Sequence, residues 1–179
     1  RVFGLLPARL RHGYSASGMS ECVDKLVKTL WLRRKPRNRL LRIGAPFFGH
    51  GSFLSRSLSG DPDPLFPCTR LENDDQCLSR LKLELAKDDV LGVFVEPLQW
   101  TNGERIDLQR LKLIQAYCRD YETPLVTNDS TGMFHRYDRD SFLPSAIDSF
   151  LPDAGLLFLG GQMAVCFMSE ELFEETPLM

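Results

Sequence analysis

A three-layer α/β domain built on a mostly parallel sheet is predicted by three observations. Helical and strand-like periods alternate along the chain. The run Val90-Leu91-Gly92-Val93-Phe94-Val95 is apolar on both faces, which suits a strand covered by helices on either side. Polar residues follow two strand candidates, at Glu96-Pro97 and Asn128-Asp129, and the carboxyl ends of strands are where ligands of such sheets bind. With 179 residues, 43% of them hydrophobic, the chain from 1 to 179 is read as one domain with enough apolar material for a core.

The first twenty residues contain Arg1, Arg9, Arg11, His12 and several serines but no acid. That is the composition of a mitochondrial transit peptide, or of a short apolar segment leading into a turn over Ser15 to Glu21. Met19 to Arg34 places Val23, Leu26, Val27, Leu30 and Trp31 on one helical face, with Ser20 as N-cap and Glu21 beside the positive end of the dipole. The basic run Arg33-Arg34-Lys35-Pro36-Arg37-Asn38-Arg39 then connects to a strand over Arg39 to Ile43, either as a solvated link or as a phosphate-binding patch. A glycine-punctuated loop follows from Gly44 to Gly51, and Ser59 to Asp75 reads as a surface loop. A helix near Asp75 to Lys87 feeds the Val90 strand. A helix over Asp107 to Tyr121 feeds a short strand over Pro124 to Thr127. Gly155 to Leu159 and Met163 to Met168 are further strands, and Ser169 with Glu170 and Glu171 opens a last helix.

Composition narrows the function classes. The formal net charge of -2 gives no field for nucleic acid, so none is expected as partner. Five cysteines, Cys22, Cys68, Cys77, Cys118 and Cys166, show no C-x-x-C spacing, so no metal site is expected and the thiols suit a reducing, cytoplasmic setting, with the mitochondrion as alternative. Apolar runs are too short to span a bilayer. Gly49-His50-Gly51 gives only G-x-G-x-x-L with no acid-ended strand downstream, unlike a dinucleotide fingerprint. Gly13-Tyr14-Ser15-Ala16-Ser17 lacks the closing glycine of a hydrolase nucleophile elbow, with only His12, His50 and His135 as bases. Ser15 to Glu21 places small residues before a helix start, where free N–H groups favour an anion, although ordinary N-caps look the same.

Five segments, taken together and in order, resemble the class III aminotransferases, the family of acetylornithine and 4-aminobutyrate aminotransferases. Ser17-Gly18-Met19-Ser20-Glu21 is similar to the family's Ser-Gly-x-Glu-Ala phosphate turn. Phe48-Gly49-His50-Gly51 is similar to its aromatic-His-Gly loop, whose ring stacks on the cofactor. Val93-Phe94-Val95-Glu96-Pro97-Leu98-Gln99 is close to its Phe-Val-Glu-Pro-Ile-Gln strand. Cys118 to Tyr121 and Leu125 to Asp129 follow its Cys-Asp-Glu-Tyr and Leu-Ile-x-Asp-Glu stretch. Pro152-Asp153, Gly160-Gly161 and Ala164-Val165 trace its Pro-Asp-Ile to Gly-Gly-Gly to Gly-Ala-Val region. The likeness runs from about Leu5 to Phe173. It implies the pyridoxal-phosphate (PLP) fold type I large domain, with cofactor contacts at Ser17, Gly18, Met19, Ser20, Phe48, Glu96 and Asn128, and without the family's small C-terminal domain.

Two departures bear on chemistry. The resemblance places at Asn128 an Asp that keeps the pyridine nitrogen protonated; an ion pair at about 4 Å in an effective dielectric near 20 is worth about 4 kcal/mol, and Asn supplies no charge. It places the Schiff-base lysine near Phe158 and Leu159, yet no lysine follows Lys112. No catalytic residue is therefore assigned. The expectation is a degenerate, non-catalytic aminotransferase-like domain kept for architecture or protein contacts, as a homodimer or in a larger complex. PLP is then at most a noncovalent ligand. The alternative is a PLP-binding transaminase whose lysine comes from another chain or a missing region.

Overall fold

A computed structural model of the chain describes residues 6, 8–49, 51–130 and 150–173. After a 3-10 turn (Ala8–Leu10) come β1 (His12–Ala16), α1 (Met19–Arg34), β2 (Arg39–Ile43), α2 (Phe53–Ser59), β3 (Cys68–Leu71), α3 (Cys77–Leu85), β4 (Val90–Val95), α4 (Leu108–Asp120), β5 (Leu125–Asp129), β6 (Ala154–Gly160), β7 (Met163–Met168) and α5 (Glu170–Phe173). The seven strands form one sheet in the order β1-β7-β6-β5-β4-β2-β3. β3, β2, β4, β5 and β6 run parallel, β7 is antiparallel to β6, and β1 is antiparallel to β7. The expected α/β, mostly parallel architecture is the one observed.

The layers follow from the two-residue period of the strands. Leu40, Phe94 and Val126 face one core, with α1 and Leu58 of α2. Their neighbours Leu41, Val93, Val95 and Leu125 face the other, with α3 and α4. Strand β4 is buried at every position, as its unbroken apolar run requires. Helix α1 is held by tertiary burial: Cys22, Val23, Leu26, Val27 and Leu30 are fully buried, and each such Val or Leu contributes about 1.5–3 kcal/mol over leaving it in water. Trp31 departs from the expected face. It is 36% exposed, tilts against Phe66, and carries the Lys35 ammonium 4.0 Å from its ring centre.

Three elements depart from the sequence expectation. β1 is a strand paired with β7 where a short segment leading into a turn from Ser15 is expected. The stretch expected to be a loop from Ser59 to Asp75 contains β3, a four-residue edge strand paired with β2 through Leu40 to Ile43. An edge strand this short carries too few residues for a period to show. Helix α2 is serine-rich and weak in propensity, and it is held by its ends: Ser52 and Ser55 form a reciprocal capping box, and Gly60 closes it in the left-handed conformation. All five cysteines are free thiols. No helix among the described residues is long and apolar enough to cross a membrane.

Candidate functional site

The residues singled out from sequence converge on one end of the sheet. Strand β1 runs in the same direction as the parallel strands, so the turn from Ser17 to Ser20 lies beside the loops that leave β2, β4 and β5. Ser20 does not cap α1. The N-cap is Gly18, without a side-chain bond, and the Ser20 hydroxyl instead accepts the Gly51 N–H at 2.9 Å. Ser52 donates to Asp24 at 2.6 Å and reinforces the same junction. Gly49 passes so close, with φ 74°, that a Cβ there would lie 2.3 Å from the Ser20 oxygen. Met19 is buried in the core below, and His50 and His135 lie outside the described residues.

Glu96 is fully buried and ties three loops together. One carboxylate oxygen accepts the N–H groups of Phe47 at 3.0 Å and Trp100 at 3.1 Å; the other accepts the Ser130 N–H at 3.1 Å and the Ser130 hydroxyl. Burial pushes its pKa up, against the pull of these four donors. Every lone-pair direction is used on the protein itself, so Glu96 organises the loops.

Strand β5 extends to Asp129, which places Asn128 inside the sheet. Its amide N–H donates to the Phe47 carbonyl, and its Oδ1, wholly buried, has no hydrogen-bond partner. An Asp here would set a carboxylate against a carbonyl oxygen, so the amide is what this loop packing requires. Gln99 closes the Glu96 motif, and the sequence does not mark it as a site residue. It is 1% exposed, accepts the Ala45 N–H at 2.8 Å, and leaves its Nε2 unpartnered. Only the fold reveals it, because a glutamine after Pro-Leu has no distinctive spacing.

Phe48 is 1% exposed and meets Phe94 edge-on at 5.7 Å, which makes it part of the core under α1. The ring left partly accessible in this loop is Phe47, tilted 5.8 Å from Trp100.

The anion turn is filled from within. The Glu21 carboxylate accepts both the Ser17 N–H and the Ser17 hydroxyl at 2.8 Å. Those bonds, the backbone one foremost and Lys25 after them, draw its pKa down to about 2. Lys25 is committed to the same cluster, at 3.0 Å from the Ser15 carbonyl and 3.2 Å from Glu21. The spacing Ser17 to Glu21 was visible in sequence, but a first-turn acid is so common at helix starts that its role as an internal anion needed the structure.

Where a lysine anchor would stand, β6 turns directly into β7. Gly160 pairs with Met163, Gly160 and Gly161 take φ of 89° and 58°, and Leu159 is the extra residue where the ladder shifts. Leu159 packs on the small cluster of Leu6, Leu10, Leu157 and Phe167.

The residues present therefore do not fit a covalently held PLP. The position that the resemblance assigns to the anchor is an apolar contact, the residue it sets against the pyridine is an amide already donating to backbone, and the turn it sets against the phosphate holds Glu21.

No protein-family model matches the chain, and no curated protein matches it. Solved structures do. A transaminase from the marine bacterium Virgibacillus superposes with TM-score 0.83 at 16% identity, covering 97% of this chain and 44% of that one. The omega transaminase from Pseudomonas jessenii in complex with PMP gives 0.81 at 17%, covering 97% and 46%. A PLP-bound amine transaminase from an uncultivated Pseudomonas species gives 0.78 at 17%, covering 93% and 45%. This chain thus spans less than half the length of the structures it matches, and at such identities what it shares with them is architecture: its seven-stranded α/β sheet is the fold type I domain of the transaminases.

Proposed function

We propose that this transaminase-fold domain is non-catalytic and serves through protein contacts, as a homodimer or within a larger complex. The observation that carries this is the tight β6–β7 turn, where Leu159 packs into an apolar cluster and no lysine occurs anywhere after Lys112. Schiff-base chemistry needs an amine at that place, and the domain supplies none. Glu21 in the anion turn and Glu96 in the loop junction support the same conclusion, since groups that would greet a ligand are bonded to the chain itself. Large apolar side chains stand exposed at this same end, Phe53 at 74%, Trp100 at 56% and Met163 at 55%, in keeping with a protein-covered surface.

The test is an absorbance spectrum with added PLP, then borohydride reduction and mass spectrometry. With excess PLP removed before the spectrum is taken, no retained aldimine band and no stoichiometric adduct on a single lysine is the expected result. A stoichiometric adduct on one lysine of a co-purified partner chain would overturn the proposal in favour of a transaminase completed by another chain. Light scattering at micromolar concentration is expected to show an oligomer; a clean monomer would remove the interaction role.

A second proposal, noncovalent PLP uptake, draws on the unpartnered Asn128 Oδ1 and Gln99 Nε2 at the strand ends. Gly18→Trp tests it, because a Cβ added there meets no atom within 4 Å. Ligand uptake that survives this substitution would count against the phosphate turn as its seat.

A further inference from the structure

The basic run from Arg33 to Arg39 is dispersed by the fold. Arg37 pairs with Asp88, Arg39 with Asp89 and Glu84, Lys35 lies over Trp31, and Arg33 donates to the Glu171 carbonyl. Arg34, the last residue of α1, is the exception. Its Nε and Nη2 are both buried and neither has a hydrogen-bond partner. These two nitrogens form one edge of the guanidinium, the edge whose parallel N–H bonds match the two oxygens of a carboxylate. Leaving a charged donor pair buried and unmatched is costly enough that such a fork is normally filled.

Arg34 lines a cavity of about 300 Å³ at the amino ends of β5 and β6, the opposite end of the sheet from the loops around Glu96. Ser169 lines it too. Ser169 is 2% exposed, and its hydroxyl is likewise buried without a partner. Cys118, Leu151 and Leu172 add apolar wall. The volume is at the small end of ligand cavities, which limits the occupant to a small molecule.

Charge selects the class. Arg9, Arg34 and Arg119 face Glu122, Asp153 and Glu171 around the cavity, and Arg9 is already paired with Asp153. Arg119 is exposed to solvent, so among the described residues lining the cavity the Arg34 fork is the buried guanidinium edge without a partner. A dianion would meet the carboxylates, whereas a single negative charge matches that edge. The C-terminal end of α1 also favours a cation there, which steadies Arg34 in place.

We propose that this cavity binds a small aliphatic monocarboxylate, gripped bidentately by Nε and Nη2 of Arg34, with the Ser169 hydroxyl as a further donor and the Cys118, Leu151 and Leu172 wall against the alkyl part. This site is independent of the sheet's carboxyl end and of any cofactor there.

The test is titration of the full ¹⁵N-labelled chain with sodium butyrate, against sodium chloride at matched ionic strength and against sodium phosphate, following the Arg34 Nε–H and Ser169 amide signals. Butyrate is expected to shift both saturably. Arg34→Lys keeps the charge but loses the fork and is expected to weaken binding at least about tenfold. Ser169→Ala is expected to weaken it several-fold and serves as the readout if the Arg34 variant folds poorly. Asn102→Ala, in the exposed loop after β4 at the other end, is expected to change nothing. Shifts that never saturate or that chloride reproduces, tighter binding of phosphate, or an Arg34→Lys protein that binds as well as wild type would each overturn the proposal.

Discussion

The two ends of α1 resolve the same electrostatic problem differently. At its start, unpaired N–H groups and the positive end of the dipole favour an anion, and the chain provides one from its own first turn, Glu21 on Ser17. At its finish, a guanidinium is buried beside a cavity and nothing in the described structure meets its fork. The end that resembles a cofactor site is closed by internal substitutes, and the end that resembles nothing familiar is open. Likeness to a binding site and capacity to bind have parted company within one helix.

Four substitutions press on that contrast. The largest effect is expected from Phe48→Ala. If Phe48 is a core wedge under α1, its loss costs about 4 kcal/mol in denaturant unfolding with no ligand present. A ring that served mainly as a stacking platform would cost far less. Next is Asn128→Asp, which restores the acid that the resemblance expects. It removes the bond to the Phe47 carbonyl and buries a charge against it, for a loss of about 3 kcal/mol. Unchanged stability, or a gain on adding PLP, would show that the end is less closed than its packing indicates. Ser20→Ala, which cuts the bond to the Gly51 N–H, is expected to cost about 1 kcal/mol and to loosen the loop.

The smallest effect concerns Glu21. Its folded pKa of about 2 lies below the ordinary 4.5, so its contribution is present above pH 4.5 and is lost as pH falls toward 2. The Ser17 amide signal in an NMR pH series should move across that window in wild type and stay put in Glu21→Gln. Because the carboxylate is exposed, the change belongs to the turn and not to global stability.

Much of the fold was legible in residues. The period of α1, the two-sided apolarity of β4 and the strand candidates after Pro152 all reflect burial that the sequence must encode locally. β3 and α2 were not legible, because a four-residue edge strand has no period and a serine-rich helix depends on its capping box. The site was legible in part. Glu96, Asn128 and the Ser17 turn do gather at one sheet end, but what each one bonds to is decided by loops meeting across the sheet, such as Glu96 with Phe47, Trp100 and Ser130. The basic run gave no sign that Arg34 would be left over, since its neighbours' partners come from α3, the turn before β4 and α5.

The placement of β1 has a consequence in time. It pairs only with β7, and Tyr14 meets Cys166 across 152 positions of sequence. Closing so long a loop is entropically slow, whereas β6 and β7 are joined by a tight turn and zip locally. On a ribosome, β1 therefore emerges before the other described strands and waits longest among them, its backbone unpaired until β7 has been made. Helix α1, which follows β1 and packs on β7, waits with it. Newly made chains are thus most exposed to chaperones and to mispairing through β1 and α1.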